Sequence, residues 1–244
     1  MAINIIRGRS TVRGLVVTVN YSGGDTLISQ QKIERDLLTA MPTLCAQKVK
    51  DIENRAIREQ VETSPYIERC QCYVSILGHV VVRATQRSPL MHVYMGNKEF
   101  YIDRQGNYVP RSKEGMANVL VANGYFRQPD TVVNDTMKLS NMECDSTTMH
   151  YDIVRMWRLA HFLDQKEYIS LFDQIYINTD GELYLTPKLG THVVCVGEDD
   201  DLENKFNHLM ALYKQALPRV GWDRYAMVDL KFKDQVVCRK KTKK

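Results

Sequence analysis

The sequence predicts an α+β fold, in which a small β-α-α-β-β unit is followed by a mixed β-sheet with packed helices. Three observations lead there. The first 75 or so residues after Arg13 run through a period-2 segment, two period-3.6 segments and two more period-2 segments. After Pro89 the chain turns to short alternating runs separated by Gly-containing turns. Two amphipathic helical patterns are set among those runs, near residues 152–163 and 202–217.

In the first unit, Arg13–Asn20 is rich in β-branched residues and reads as a strand, with Tyr21–Asp25 as a turn. Ser29 is placed to cap a helix whose apolar stripe is Ile33, Leu37, Leu38 and Met41, and Pro42 ends it. A second helix is expected over 47–62, with Val49, Ile52, Ala56 and Val61 inward. Past Ser64-Pro65, Cys70, Cys72, Val74 and Ile76 alternate with polar residues in one strand, and Val80, Val82 and Ala84 do so in the next, with Gly78 at the turn.

In the second part, Gly96-Asn97 joins Met91–Met95 to Glu99–Ile102 as a hairpin, and Gly106-Asn107 turns the chain again before Tyr108–Pro110. Residues 111–150 show little periodicity beyond a short apolar run at Val119–Ala122. Asp152 is placed to cap a helix facing inward through Ile153, Met156, Trp157, Ala160 and Leu163. Asp180-Gly181 lies between two alternating runs, a strong hairpin signal, and His192–Val196 adds a third strand to a meander. Asp199-Asp200-Asp201 opens the last helix, its acids complementing the helix dipole, with Leu202, Phe206, Leu209, Met210, Tyr213 and Leu217 as its stripe. Pro218 and Gly221 stop it.

A hydrophobic fraction of 44% with 25% charged residues excludes disorder over most of the chain. The net charge of +4 is modest, and five basic residues crowd the last six positions, which reads as a solvated end and not as a nucleic-acid surface. No run of 18 apolar residues is present, so no transmembrane helix is expected in this stretch. The six cysteines (45, 70, 72, 144, 195, 238) show no disulfide framework or metal-ligand spacing, and Cys70 and Cys72, on one face of a strand pattern, read as buried thiols. The six histidines are scattered and read as surface or partly buried residues. Phosphate-binding, nucleophile-elbow and zinc-protease motifs are absent. No cofactor or metal is expected, and the weight shifts to a binding role.

The segment Tyr225–Arg239 carries that role best. Val228, Leu230 and Phe232 alternate with Asp229, Lys231 and Lys233, then a break at Lys233-Asp234 precedes a second β-branched run, Val236-Val237. A strand this late in the chain can close its sheet with one edge unpaired, ready for a partner strand.

Several segments resemble known modules. Ser64–Cys70 followed by Val80–Pro89 resembles the closing hairpin and exit of a POTRA domain, a β-α-α-β-β module of extracytoplasmic regions of membrane proteins. Phe100–Val109 is similar to the strand-turn that opens the β domain of the FtsQ family of bacterial division proteins, and Val228–Phe232 looks like a late strand of that family. The resemblance implies a POTRA domain over residues 10–89 and an FtsQ-type β domain over residues 90–240. It also implies a non-enzymatic divisome scaffold that recruits FtsB- and FtsL-like partners to the septum. Such a protein is held at the periplasmic face of the inner membrane by one helix, here expected ahead of residue 1. In the family the terminal strand pairs with a strand of FtsB. The matching positions are Phe232, Gln235, Val236, Val237 and Cys238, and Val237→Pro is expected to block that pairing. Other readings are a POTRA-bearing protein of polypeptide transport or outer-membrane assembly, and an enzyme whose site is assembled from scattered residues.

Overall fold

The computed structural model describes residues 10–21, 24–127, 139 and 151–241. The turn expected at Tyr21–Asp25 and most of the aperiodic stretch up to residue 150, Cys144 included, lie partly or wholly outside the described residues. The chain divides into two compact units, one formed by the residues up to Ser88 together with Val109–Asn118, the other by Pro89–Tyr108 and everything from Val119 on.

The first unit holds β1 (Gly14–Asn20), α1 (Gln30–Ala40), α2 (Asn54–Glu62), β2 (Ile67–Val74) and β3 (His79–Gln86). Its sheet order is β1-β3-β2, with β1 parallel to β3 and β2 antiparallel to it. A parallel neighbour needs a crossover, and α1 and α2 supply it. Ser29 caps α1 as expected, its hydroxyl accepting from Lys32 N at 3.2 Å. Ile33, Leu37, Ile57 and Val61 meet Val17, Val80, Val82 and Ala84 in one buried cluster. Ser112 and Glu114, in this unit's later segment, bond to the Leu27 carbonyl and to Ser29.

Two expectations change here. The helix read over 47–62 is a single 3-10 turn, Val49–Asp51, followed by the shorter α2. Lys48 is held extended because it bridges Thr11, with Val12 N donating to Gln47 O and Val49 N to Ser10 O. The alternation of β2 stops at Val74, and Ile76 stands 86% exposed in the turn.

Among the described residues the other sheet has nine strands, in the order β12-β11-β10-β9-β8-β7-β4-β5-β6. The strands are β4 (Pro89–Met95), β5 (Lys98–Asp103), β6 (Tyr108–Pro110), β7 (Leu120–Gly124), β8 (Phe172–Ile177), β9 (Leu183–Pro187), β10 (Val193–Gly197), β11 (Tyr225–Asp229) and β12 (Val237–Lys240). Both Gly-containing hairpins form, and Gly96 and Gly181 take the positive φ their turns require. The Val119–Ala122 run becomes β7, a central strand parallel to both β4 and β8. Two helices, α3 (Tyr151–Gln165) and α4 (Leu202–Ala211), share a core with one face of the sheet. Met156, Leu159, Ala160, Phe206 and Leu209 belong to the same buried cluster as Val93, Ala122, Ile175, Leu185, Val194 and Val228.

Asp152 does not precede α3 but lies in its first turn, where it accepts from Arg127 N and pairs with the Arg127 guanidinium. Pro218 does not stop the last helix either. A π-helical turn, Leu212–Ala216, opens the ladder just before it, which accommodates a residue with no N–H to donate. A final turn, α5 (Leu217–Val220), then ends at Gly221 with φ +94°. Asp199 has a role beyond the helix dipole, since it is buried between Arg155 and Arg158. His92 and His192 are 3% and 2% exposed, so two of the histidines are core residues.

Candidate partner-binding edge

The ribbon β11–β12 is built around the Lys233-Asp234 turn. Asp234 takes φ +58°, a left-handed value that Asp tolerates, and Asn204 Nδ2 donates to its Oδ1 at 3.3 Å. Beyond this turn β12 runs back along β11, pairing Val237 with Asp229, Cys238 with Val228 and Arg239 with Met227. A β-bulge between Tyr225 and Met227 then shifts the register to Tyr225–Lys240.

The direction of each main-chain group follows from two hydrogen bonds. Lys241 N donates inward to Arg224 O, and on the other side of β11, Leu230 N donates to Cys195 O. Main-chain groups alternate sides along a strand. Val237, Arg239 and Lys241 therefore bond to β11, while Cys238 and Lys240 turn their N–H and C=O to the outer edge. Among the described residues no strand pairs with that edge, because β12 ends the sheet.

Side chains sort by face in the same way. Val236 and Cys238 pack partly buried against the core, and burial pushes the Cys238 thiol pKa up. Val237 is 41% exposed on the opposite face. There it ends a cross-strand row running Asn123, Tyr176, Tyr184, Cys195, Asp229, Val237. Glu182 anchors this face, accepting from Lys231 Nζ at 2.7 Å and from the Tyr184 hydroxyl at 2.8 Å. The Lys231 hydrogen bond, helped by that of Tyr184, lowers the carboxyl pKa. Burial and the bond to Glu182 raise that of the Tyr184 hydroxyl.

The positions singled out in sequence thus cluster at one end of the sheet, with one correction. Phe232 is not on the buried face of a strand with Val228 and Leu230. Those two are 0% and 2% exposed, but β11 ends at Asp229 and Phe232 is 47% exposed in the turn. The chain has to reverse there, so the alternation no longer tracks a pleat. Gln235 is exposed at the turn's exit. A cleft of about 200 Å³ opens between α4 and this turn, lined by Asn204, His208, Leu230, Phe232 and Val236 among others. The residue overlooked in sequence is Lys240, which with Arg239 belongs to the strand and not to a loose basic tail. Their alternation with Val237 and Cys238 was the available signal.

Residues 88–239 match the family model described as FtsQ/DivIB, C-terminal related. The chain belongs to this family. Residues 11–85 match the POTRA-like domain model, so the β-α-α-β-β unit precedes the FtsQ/DivIB region in one chain. No curated protein matches the chain. FtsQ/DivIB and POTRA-like modules are non-catalytic scaffolds, and the FtsQ/DivIB family consists of membrane-anchored division proteins. Among the described residues, no helix is long and apolar enough to cross a membrane. The matched region takes in β11 and all of β12 but Lys240.

Proposed function

We propose that this chain is the extracytoplasmic part of a division scaffold that captures FtsB- and FtsL-type partners at the septum, with the partner's strand adding to the outer edge of β12. A POTRA domain over residues 10–89 precedes the β domain of residues 90–240 that bears this edge. A membrane helix upstream of residue 1 anchors the full-length protein, leaving both domains on the periplasmic side. One observation carries the binding mode. The nine-stranded sheet ends at Val237–Lys240, where Cys238 and Lys240 direct main-chain donors and acceptors outward. Main-chain pairing supplies affinity, and Val237 and Arg239, on the face opposite the core, supply specificity.

The register identifies the variant that tests it. Proline is tolerated on an edge strand where its missing N–H would have faced solvent. Cys238→Pro removes an outward donor and should leave the fold intact while binding of an FtsB-type peptide, followed by calorimetry, weakens at least tenfold. Val237→Pro instead removes a donor used by β11, so it should loosen β12 as well as binding. Unchanged affinity in Cys238→Pro, with an unchanged circular dichroism spectrum, would refute strand addition at this edge.

A further inference from the structure

The most exposed large apolar side chains among the described residues are Ile76, at 86%, and Leu77, at 67%. They are adjacent and occupy the two central positions of the turn joining β2 to β3. Gly78 N donates to Ser75 O at 3.0 Å, Ser75 N to His79 O at 2.8 Å, and His79 N to the Ser75 hydroxyl at 3.1 Å. Central turn positions ordinarily hold Gly, Pro, Asn, Asp or Ser. Two large aliphatic residues there gain nothing in folding, because a tightly closed turn presents them to water.

Their surroundings are specific. Arg13 N donates to Gly78 O at 2.9 Å, and the Arg13 side chain runs alongside Gly78. On the other side of the same segment, Thr11 bridges Lys48. Arg13, Lys48 and Lys50 are all exposed. Asp51 and Glu53 follow at once, also exposed, and offset part of this charge. The result is a small apolar wedge with basic side chains beside it, at the point where residues 10–13 lead into β1.

We propose that this turn is a membrane-contact tip: Ile76 and Leu77 enter the headgroup region of a bilayer, with Arg13 and Lys48 reaching lipid phosphates beside them. This rests on the reading that the full-length protein is anchored upstream of residue 1, which makes residues 10–13 the described residues nearest the anchor in sequence. The size of the patch decides between a bilayer and a protein partner. A stable protein interface needs about 800 Å² a side, far more than two aliphatic side chains offer, whereas a bilayer accepts a wedge without a matching surface. Long basic side chains can keep their stems near acyl chains with their charges at the phosphates. Because Asp51 and Glu53 offset part of the charge, contact depends on the apolar pair more than on anionic lipid.

The test uses the full chain carrying Leu77→Trp, held by an N-terminal hexahistidine tag on vesicles of phosphatidylethanolamine, phosphatidylglycerol and a nickel-chelating lipid. The tag replaces the anchor, so the outcome does not depend on whether an anchor exists. Read as the difference from the wild-type chain, which carries Trp157 and Trp222, the expected result is a blue-shifted emission, and quenching by acyl-brominated lipid at least threefold stronger than for Gln31→Trp, an exposed position on α1. In a second arm, Ile76→Ser combined with Leu77→Trp should lose most of that quenching. Emission that stays at the water-exposed wavelength on the vesicles would overturn the proposal. So would a blue shift that rises with protein concentration in the absence of vesicles, which would mean a second copy covers the turn. Peptide binding at β12 is read separately, so failure of the tip and failure of the scaffold reading give different results.

Discussion

Arg155 Nη1 donates to Gly181 O at 2.6 Å while its Nε lies 3.0 Å from Asp199 Oδ1, and the arginine is 1% exposed. One side chain of α3 thus ties together the tip of the β8–β9 hairpin and the loop leading into α4, with Gly197 O also in reach at 3.3 Å. The fork of the guanidinium matches this set of acceptors, which a lysine ammonium cannot do from one point. Removing Arg155 leaves Asp199 with Arg158 alone and strips the Gly181 and Gly197 carbonyls of their buried donor, and each unsatisfied buried group costs about 1–3 kcal/mol. Arg155→Ala should therefore lower the urea midpoint sharply with an unchanged slope, and Arg155→Lys should recover only part of the loss.

His192 makes stability depend on pH in a defined direction. It is buried, with Nε2 2.8 Å from the Tyr213 hydroxyl and its ring against Trp222. Burial lowers its pKa from 6.5, while a backbone hydrogen bond with Trp222 and the charge of Asp223 act the other way and that of Lys241 adds to the lowering. The unfolded chain then takes up a proton that native His192 resists. Its contribution is complete above 6.5 and declines as the pH falls below that value. The slope contributed by one group is at most about 1.4 kcal/mol per pH unit. Denaturant titrations at a series of pH values should show this decline in the wild type and a shallower one in His192→Gln.

Gly124 is required by the close approach of β7 to β8. Its φ is +131°, and a Cβ there would lie 2.2 Å from Ile177 O and 2.6 Å from Ile177 N. Backbone cannot yield as a flexible side chain does. Gly124→Ala should therefore destabilise by more than about 2 kcal/mol, through strain added to a lost approach. An equally stable variant in thermal unfolding would show that the β7–β8 contact is looser than described.

Thiol reactivity should separate the cysteines by position. Cys45 is exposed, whereas burial pushes Cys70 up to about 12 and Cys72 to about 11 and also raises Cys195. The thiolate is the reactive form. At about pH 8, iodoacetamide should label Cys45 well before these three in the native protein, with peptide mapping as the readout. Rapid labelling of Cys70 would mean that the β2–β3 core opens readily.

Much of the architecture can be read from local pattern. The β-α-α-β-β order, the hairpins at Gly96-Asn97 and Asp180-Gly181 and the stripe from Leu202 to Leu217 all follow from side-chain period and turn chemistry. The misreadings share a cause. Residues 47–53 have helical periodicity, yet Lys48 is drawn out by a bridge to Thr11. Val119–Ala122 looks too short for an element, yet parallel neighbours on both sides make it a central strand. Phe232 continues an alternation into a stretch where the backbone has already turned.

For the terminal ribbon the division is clear. Sequence alone determined that two β-branched runs separated by Lys233-Asp234 would form late strands, because alternation and turn residues are local properties. It also placed the segment in the order of a known family. Only the tertiary structure decided that β12 ends the sheet and that Cys238 and Lys240, not Val237, turn their main-chain groups outward. Edge position depends on which strands neighbour β11, and outward direction depends on register. Both are fixed by hydrogen bonds between residues far apart in the chain, such as Leu230 to Cys195, which no local pattern encodes.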